Sequence, residues 1–335
     1  MGISDDRKKN ENCRNPSLLG NFLSYLRHPE YVTQVSDIAM YKKIVQIFKL
    51  WSFIIVVVFI LGVLFSMLMN FLGVEEIKSS VMDMFLDQPL YVFLFLAIVW
   101  APVVEEFTFR LGLLYSPFRL SFSAAFLMII VFSLLFKFTD IYSLPFFPEG
   151  LVDFVQDKGL YLYIFSVLSL GSIFGFVLRR KTDFNVVQKF YTKNFTKIFY
   201  CSAILFAILH LLNFNNSGNF WFLLPLLIVP QFLVGLVLAY IRMKYGIIWS
   251  VFGHFLHNGV ISLPLIYLSL LPISLSEMSA GKEIDMEKVS SEMTWQASML
   301  SFLFLFIVML VFVSFVKLIM EYKREKRLRS FDFRP

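Results

Sequence analysis

Two adjacent carboxylates and an arginine, Glu105, Glu106 and Arg110, lie inside an apolar stretch of the sequence. A charge in the middle of a membrane span costs about 2.5–3.5 kcal/mol on insertion scales, so each of them needs an explanation. Glu106 and Arg110 are spaced i, i+4 and can form an ion pair on one helix face. Glu105 has Phe109 at i+4 and no such partner. A carboxylate that can exchange protons suits general acid–base catalysis, whereas a purely structural charge cluster is the alternative.

Histidines provide the second set of reactive groups, because three of the four, His210, His254 and His257, also lie in apolar stretches. His254 and Asn258 are spaced i, i+4 and would face the same way, which offers two hydrogen-bond donors to a developing oxyanion. His257 points about 60° to the other side of the helix and is predicted to be mainly structural. Alternatively, His210, His254 and Glu105 could hold a zinc ion with one position open for water, although the HExxH spacing is absent.

Membrane-spanning helices must carry these residues. The 335 residues are 58% hydrophobic and only 16% charged, against about 25% charged in ordinary soluble domains. A helix needs roughly 20 mainly apolar residues to cross a bilayer. We predict an all-α, polytopic membrane protein with about eight spans and an intramembrane active site, the spans covering about 50–72, 90–115, 119–137, 159–178, 197–214, 221–241, 246–271 and 296–318.

The distribution of basic residues predicts the orientation. Placing both termini in the cytosol leaves few basic residues on the opposite side, namely Lys78, Lys137, Lys158, Lys282 and Lys288. We therefore predict a cytosolic N-terminal tail over 1–47, an eight-span domain over 48–318 and a basic cytosolic tail over 319–335. The net charge of +6 lies at the ends of apolar stretches, so lipid is the expected partner and nucleic acid is not.

Three motifs follow one another in the spans. EEFTFR (Glu105–Arg110) fits EExxxR, FAILH (Phe206–His210) fits FxxxH, and HFLHN (His254–Asn258) fits HxxxN. In this order they resemble the CPBP family of intramembrane proteases, which contains the type II CAAX prenyl endopeptidases and their prokaryotic relatives, also called Abi proteins. The resemblance covers about 100–118 and 198–262, with further matches at Gln231, Gly235 and Trp249.

This resemblance implies a role for each motif residue. Glu105, assisted by His210, would activate a water that attacks the scissile carbonyl, and His254 with Asn258 would stabilise the oxyanion. Three residues would support the site: Glu106, Arg110 and Phe206. The family implies that no cofactor is required, with zinc as the alternative. Its substrates imply a peptide or protein at the membrane, and its prokaryotic members imply a cytoplasmic (inner) membrane.

Two departures from the family pattern bear on this interpretation. Leu111 occupies the position where a glycine often follows the arginine, and Gly112 comes one residue later. Two additional spans also separate the first motif from the second. An even number of added spans preserves the antiparallel relation of the motif helices, but it leaves the substrate open. The alternatives are a non-catalytic scaffold or regulator of the same family and a proton-coupled transporter. The sequence leaves the oligomeric state open.

Overall fold

The computed structural model describes residues 16–32, 35–73, 80–139, 149–214, 224–270 and 295–332. Nearly all of these residues are helical. A π-helical segment, Phe95–Trp100, joins α4 to α5, and short 3-10 turns, Leu111–Leu113 and His210–Asn213, follow α5 and α8. The helices are α1 (Leu18–Arg27), α2 (Met40–Leu72), α3 (Ser80–Asp87), α4 (Leu90–Leu94), α5 (Ala101–Phe109), α6 (Pro117–Thr139), α7 (Glu149–Lys181), α8 (Phe184–Leu209), α9 (Leu224–Tyr245), α10 (Ile247–Ser269) and α11 (Trp295–Asp332).

The predicted fold class, a polytopic all-α membrane protein, is confirmed. Among the described residues, seven helical stretches are long and apolar enough to cross a membrane. The third predicted span, 119–137, coincides with α6, whose shorter apolar part covers Pro117–Phe132. Every predicted span therefore corresponds to a helix. Residues 272–294, between the last two predicted spans, lie outside the described residues, and α7 begins at Glu149, before the predicted start of its span at about 159.

Helix α9 forms the centre of the bundle. Its second half is buried on all sides, including Val234, Ala239, Ile241 and Met243, as expected for a helix that is apolar all round. Helices α2, α8 and α10 pack around it. A single residue, Gly246, joins α9 to α10, and its φ of 103° lies in a region that favours glycine. This tight connection places the start of α10 directly beside the end of α9.

The two added spans, α6 and α7, pack along each other and contact the rest of the bundle through α5. They do not separate the motif-bearing helices, because α5 contacts both α8 and α10 directly. The order of contacts shows that α5 and α8 are antiparallel. Ser202 donates to the Phe109 carbonyl oxygen at 2.6 Å, and His210, further along α8, lies near Glu105, which is earlier on α5. The motif helices therefore meet as the even number of added spans predicted.

Helix α1 lies within the segment assigned to the N-terminal tail. Leu19 and Phe22 are buried in a core cluster that also contains residues of α2, α9 and α11. Ser17 caps α1 by accepting from the Gly20 N–H at 3.1 Å, and its own N–H donates to Glu325 of α11 at 2.9 Å. The start of α1 and the end of α11 thus lie at the same end of the bundle.

Candidate active site

The carboxylates lie on α5, which begins in an unusual way. The preceding π-helical segment ends at Trp100, and Pro102 lies in the first turn of α5. A π-helical turn inside a longer helix is frequently associated with a functional site. Beyond this point α5 is regular, so Glu105 and Glu106 point about 100° apart. One carboxylate faces the interior of the bundle and the other faces a cavity.

Glu106 is completely buried and fully partnered. Its Oε1 lies 3.3 Å from Arg110 Nη1 and 3.0 Å from His254 Nδ1, and Ser250 donates a hydrogen bond to its Oε2. The ion pair expected from the i, i+4 spacing is therefore formed. A buried carboxylate is tolerated only when it is paired and hydrogen-bonded, and every oxygen of Glu106 meets that condition. Ser250 lies one helical turn before His254, so both reach Glu106 from the same face of α10.

Arg110 is also fully buried and connects three helices. Its Nη2 lies 3.5 Å from the Gly235 carbonyl oxygen on α9, and its Cζ lies 3.9 Å from the centre of the Phe206 ring on α8. A guanidinium over an aromatic face is stabilised by the negative face of the ring. Gly235 leaves room for this approach, because a Cβ there would lie 3.2 Å from the ring of Phe206 and 3.4 Å from Arg110 Nη2. The Arg110 carbonyl oxygen in turn accepts from Arg242 Nε at 3.0 Å.

Phe206 lies between the ion pair and the histidines. Its ring centre is 4.4 Å from that of His210 and 5.8 Å from that of His254. Phe206, which the resemblance assigned to the support of the site, therefore packs directly beside His210. The contact with Arg110 adds a second role, since one ring orients the supporting arginine and both imidazoles.

Glu105 has a different environment from its neighbour. Its side chain is 24% exposed, and its Oε2 has no hydrogen-bond partner among the described residues although the atom is buried. This oxygen lies 3.7 Å from His210 Nε2 and 3.6 Å from His254 Nε2, too far for a direct hydrogen bond. A cavity of about 290 Å³ adjoins it, with walls that include Trp100, Val104, Ile130 and Leu209.

The hydrogen-bond partners of the two histidines fix which ring nitrogen carries the proton. His210 Nδ1 lies 2.7 Å from the Phe206 carbonyl oxygen, and His254 Nδ1 lies 3.0 Å from the Glu106 carboxylate. Both oxygens are acceptors, so both Nδ1 atoms are donors. In neutral imidazoles the Nε2 atoms are then acceptors as well. Two nitrogen lone pairs and one carboxylate oxygen converge on the same small space, which calls for a donor between them.

Asn258, predicted to share the oxyanion role with His254, makes its hydrogen bond elsewhere. Its Nδ2 donates to the Ala97 carbonyl oxygen of the π-helical segment at 2.8 Å. One of the two amide hydrogens is therefore engaged, and one remains. His257, predicted to be mainly structural, is 5% exposed, and its Nδ1 has no hydrogen-bond partner in the described part of the chain.

Sequence reasoning missed Ser250 and Arg242, which hold Glu106 and the end of α5. Ser250 carried a usable signal, because it precedes His254 by four residues on the same helix. Arg242 was counted only as an orienting charge at the end of a span, but it is 4% exposed and caps the carbonyl of Arg110. Cations near the C-terminus of a helix are favoured by the helix dipole.

The zinc alternative requires a set of ligands that converge on one point. Within the described ranges, no group of three His, Cys, Asp or Glu side chains is arranged to hold a metal ion. Glu105, His210 and His254, the residues named for zinc, face one another, with the Glu105 Oε2 atom 3.7 and 3.6 Å from the two Nε2 atoms. Zinc binding by these residues stays a prediction.

The fold and the site together define a polytopic membrane protein with a carboxylate–histidine cluster buried between its helices. The family model described as "Type II CAAX prenyl endopeptidase Rce1-like" matches residues 184–260. This range includes the FxxxH and HxxxN motifs, whereas the EExxxR motif lies before it. The match confirms the predicted resemblance to the CAAX-type intramembrane proteases. No match to the chain was found among curated proteins or among solved structures.

Proposed function

We propose that the protein is an intramembrane endopeptidase in which Glu105 activates a water molecule. One observation carries this proposal: a buried Glu105 oxygen, which has no hydrogen-bond partner among the described residues, faces two imidazole nitrogens across 3.6 and 3.7 Å, next to a cavity. Polar atoms more than 3.5 Å apart can be joined through a shared water. A water has two hydrogens to give and suits a space surrounded by acceptors.

In the proposed reaction, the water oxygen attacks the scissile carbonyl carbon while Glu105 takes one proton from that water. The resulting tetrahedral intermediate carries a negative oxygen, and its collapse breaks the carbon–nitrogen bond. The proton held by Glu105 then passes to the leaving amine, so the site returns to its starting state. The second O–H of the water donates a hydrogen bond to His210 Nε2, and this bond orients the water for attack. Glu105 would therefore act as the base while the water attacks and as the acid while the carbon–nitrogen bond breaks.

The oxyanion is assigned first to His254. Its Nε2 can donate to the oxyanion in the form of the ring that carries a proton on both nitrogens. That second proton would be taken up from solvent before the substrate binds and kept throughout the cycle. Glu106 on Nδ1 holds the ring in position, much as a carboxylate orients the histidine of a catalytic triad. Asn258 has one amide hydrogen left for the same oxygen. Glu106, Arg110 and Phe206 support the site without touching the substrate.

The substrate is proposed to be a peptide or protein at the membrane. The cavity beside Glu105 is lined mainly by apolar side chains, including Ile130 from the added pair of helices. The added helices therefore contribute directly to the wall of the cavity. For this reason cleavage of prenylated CAAX peptides is not carried over from the family. A prokaryotic inner membrane with both termini cytosolic remains the proposed location, and reporter fusions at each end test it.

A comparison of released peptides tests the proposal. Membranes containing wild-type protein, Glu105→Gln or His254→Ala are incubated, and the released peptides are identified by mass spectrometry. We expect the wild type to release specific products and both variants to release none of them. Identical products from all three proteins would refute the protease assignment and favour a scaffold. Zinc content and chelator treatment of the same samples test the metal alternative, and we expect cleavage to survive chelation.

A further inference from the structure

We propose that Asn258 is a positioning residue. Its amide donates to the Ala97 carbonyl, which the π-helical segment and Pro102 deprive of its i+4 and i+5 backbone donors, and this bond fixes the carboxylate-bearing helix against α10. Only the cleavage measurements that test this inference rest on the proposed function. It concerns how the site is held together and assigns Asn258 a task other than contact with the oxyanion.

The backbone around Pro102 explains why the Ala97 carbonyl has no internal partner. In a regular α-helix it would accept from the N–H of Ala101. Here the Ala101 N–H donates to Leu96, one residue further back, which is the π-helical register. In that register the next donor would be residue 102, and proline has no N–H. The i+4 and i+5 backbone donors of the Ala97 carbonyl are therefore lost, one through the π-helical register and one through the proline ring.

Asn258 supplies the missing donor at 2.8 Å. Carbonyls that proline frees in membrane helices are commonly satisfied by polar side chains of neighbouring helices, because lipid offers no hydrogen bonds. The residue type fits this task, since an amide donates at neutral pH without carrying a charge into the span. The Asn258 side chain is also short, so its hydrogen bond holds the backbone of α10 close to the backbone at Ala97.

The bond also has a consequence for the reacting groups. The carboxylate-bearing segment is held by residues on three successive turns of α10. Ser250 and His254 contact the carboxylates of α5, and Asn258 contacts the backbone at Ala97. Without the Asn258 bond, the π-helical segment before Pro102 could shift while the side-chain contacts of Glu106 persist, and such a shift would move Glu105 relative to both Nε2 atoms. Asn258 thus attaches the backbone of this segment to α10.

A double-substitution experiment separates this role from that of an oxyanion donor. Pro102→Ala restores an N–H at position 102, which can donate to the Ala97 carbonyl within the helix. Asn258→Leu removes the amide and keeps a similar volume. We expect Asn258→Leu to reduce cleavage roughly 100-fold, the scale of a small misplacement near the reacting atoms. Pro102→Ala added to Asn258→Leu should recover most of that loss, while Pro102→Ala alone should cleave much as the wild type does.

Pro230→Ala provides the matched control, because Pro230 lies inside α9 and not near Ala97. Combined with Asn258→Leu, it should recover nothing. Asn258→Asp is a second test of the donor, since a carboxylate of the same size only accepts, and it should cleave as poorly as the leucine variant. Failure of Pro102→Ala to improve on Asn258→Leu would overturn the inference, because an oxyanion donor cannot be replaced from that position.

Hydrogen exchange of the full-length protein in lipid gives a readout independent of cleavage. Asn258→Leu should speed exchange of backbone amides in residues 95–106, and Pro102→Ala in the double variant should slow it again. Unchanged exchange in Asn258→Leu would overturn the inference even with an active enzyme. If neither the wild type nor any variant cleaves a peptide, the proposed function fails. The exchange data would still decide the role of Asn258.

Discussion

Glu105 and Glu106 are neighbours in the chain with opposite surroundings. Glu106 is fully buried, and both of its oxygens have partners in Arg110, His254 and Ser250. Glu105 is 24% exposed at a cavity, and one of its oxygens is buried without a hydrogen-bond partner among the described residues. The 100° turn between successive helix residues is enough to place one carboxylate in the framework and the other in the reaction space. Their shared contact is His254, which approaches Glu106 with one ring nitrogen and Glu105 with the other.

This comparison assigns different consequences to the loss of each carboxylate. Removal of a fully partnered buried group leaves its partners unsatisfied and lowers stability. Removal of an unpartnered group at a cavity leaves the fold intact and removes a reactive atom. Stability and activity should therefore respond separately at two adjacent positions.

The largest effect is expected for Glu105→Gln. The amide cannot accept a proton from water, so cleavage should fall by about 10²–10⁴-fold, the usual contribution of a general base. Peptide release quantified by mass spectrometry measures the loss, and the thermal unfolding midpoint should stay close to the wild-type value. Glu30→Gln, at an exposed carboxylate, is the matched control and should change neither quantity. Retention of cleavage by Glu105→Gln would remove the distinction between the two carboxylates.

Glu106→Gln should produce the largest loss of stability. It leaves the Arg110 charge buried without its counter-ion, and breaking such a pair costs about 3–5 kcal/mol of unfolding free energy. Unfolding of the purified protein in detergent would measure it. The double variant Glu106→Gln/Arg110→Met removes both charges and should be more stable than the single one. A single variant as stable as the wild type would show that Glu106 is not part of the framework.

Ser250→Ala tests the smaller partner of Glu106. Losing the hydroxyl leaves a buried carboxylate oxygen without a donor, which costs about 1–3 kcal/mol. The unfolding free energy should fall by that amount, and cleavage should fall less than in Glu105→Gln. Ser250→Thr keeps the hydroxyl and should retain most of the stability. Equal losses from alanine and threonine would assign the effect to packing instead.

Phe206→Leu is expected to have the smallest effect of the four. It removes the aromatic face over the Arg110 guanidinium, an interaction of about 0.5–2 kcal/mol. Thermal unfolding would report the change, with Phe199→Leu, a fully buried ring on the same helix, as the control for loss of buried ring atoms. If the two variants lost the same stability, the contact with Arg110 would carry no special weight.

The spans and the ion pair were predictable because their signals are local. Apolar length marks every helix, and the i, i+4 spacing of Glu106 and Arg110 defines a pair within one turn. Helix α1 also had a readable pattern, since Leu19 and Phe22 are three residues apart on one face of a short amphipathic segment. It was overlooked because the surrounding segment is polar.

Contacts between distant parts of the chain were not predictable in this way. The bonds from Arg242 to the Arg110 carbonyl and from Asn258 to the Ala97 carbonyl join residues far apart in sequence, and backbone acceptors have no residue type to reveal them. The π-helical segment depends on the same kind of information. Pro102 removes one N–H, but only the packing of α10 determines which carbonyl then finds a donor. The orientation in the membrane and the roles of the site residues remain predictions.

The hydrogen bonds that both histidines donate through Nδ1 have a consequence for the design of inhibitors. Compounds that offer hydrogen-bond donors, such as hydrated ketones or boronic acids with their hydroxyl groups, match the acceptors of the site, which are the Glu105 oxygen and, in neutral imidazoles, the two Nε2 atoms near it. Sulfonates and similar groups present only hydrogen-bond acceptors, so they would face acceptors of the site and form no hydrogen bonds with them. A screen for tight ligands should therefore begin with diol-like head groups on apolar chains, because these also suit the walls of the adjoining cavity.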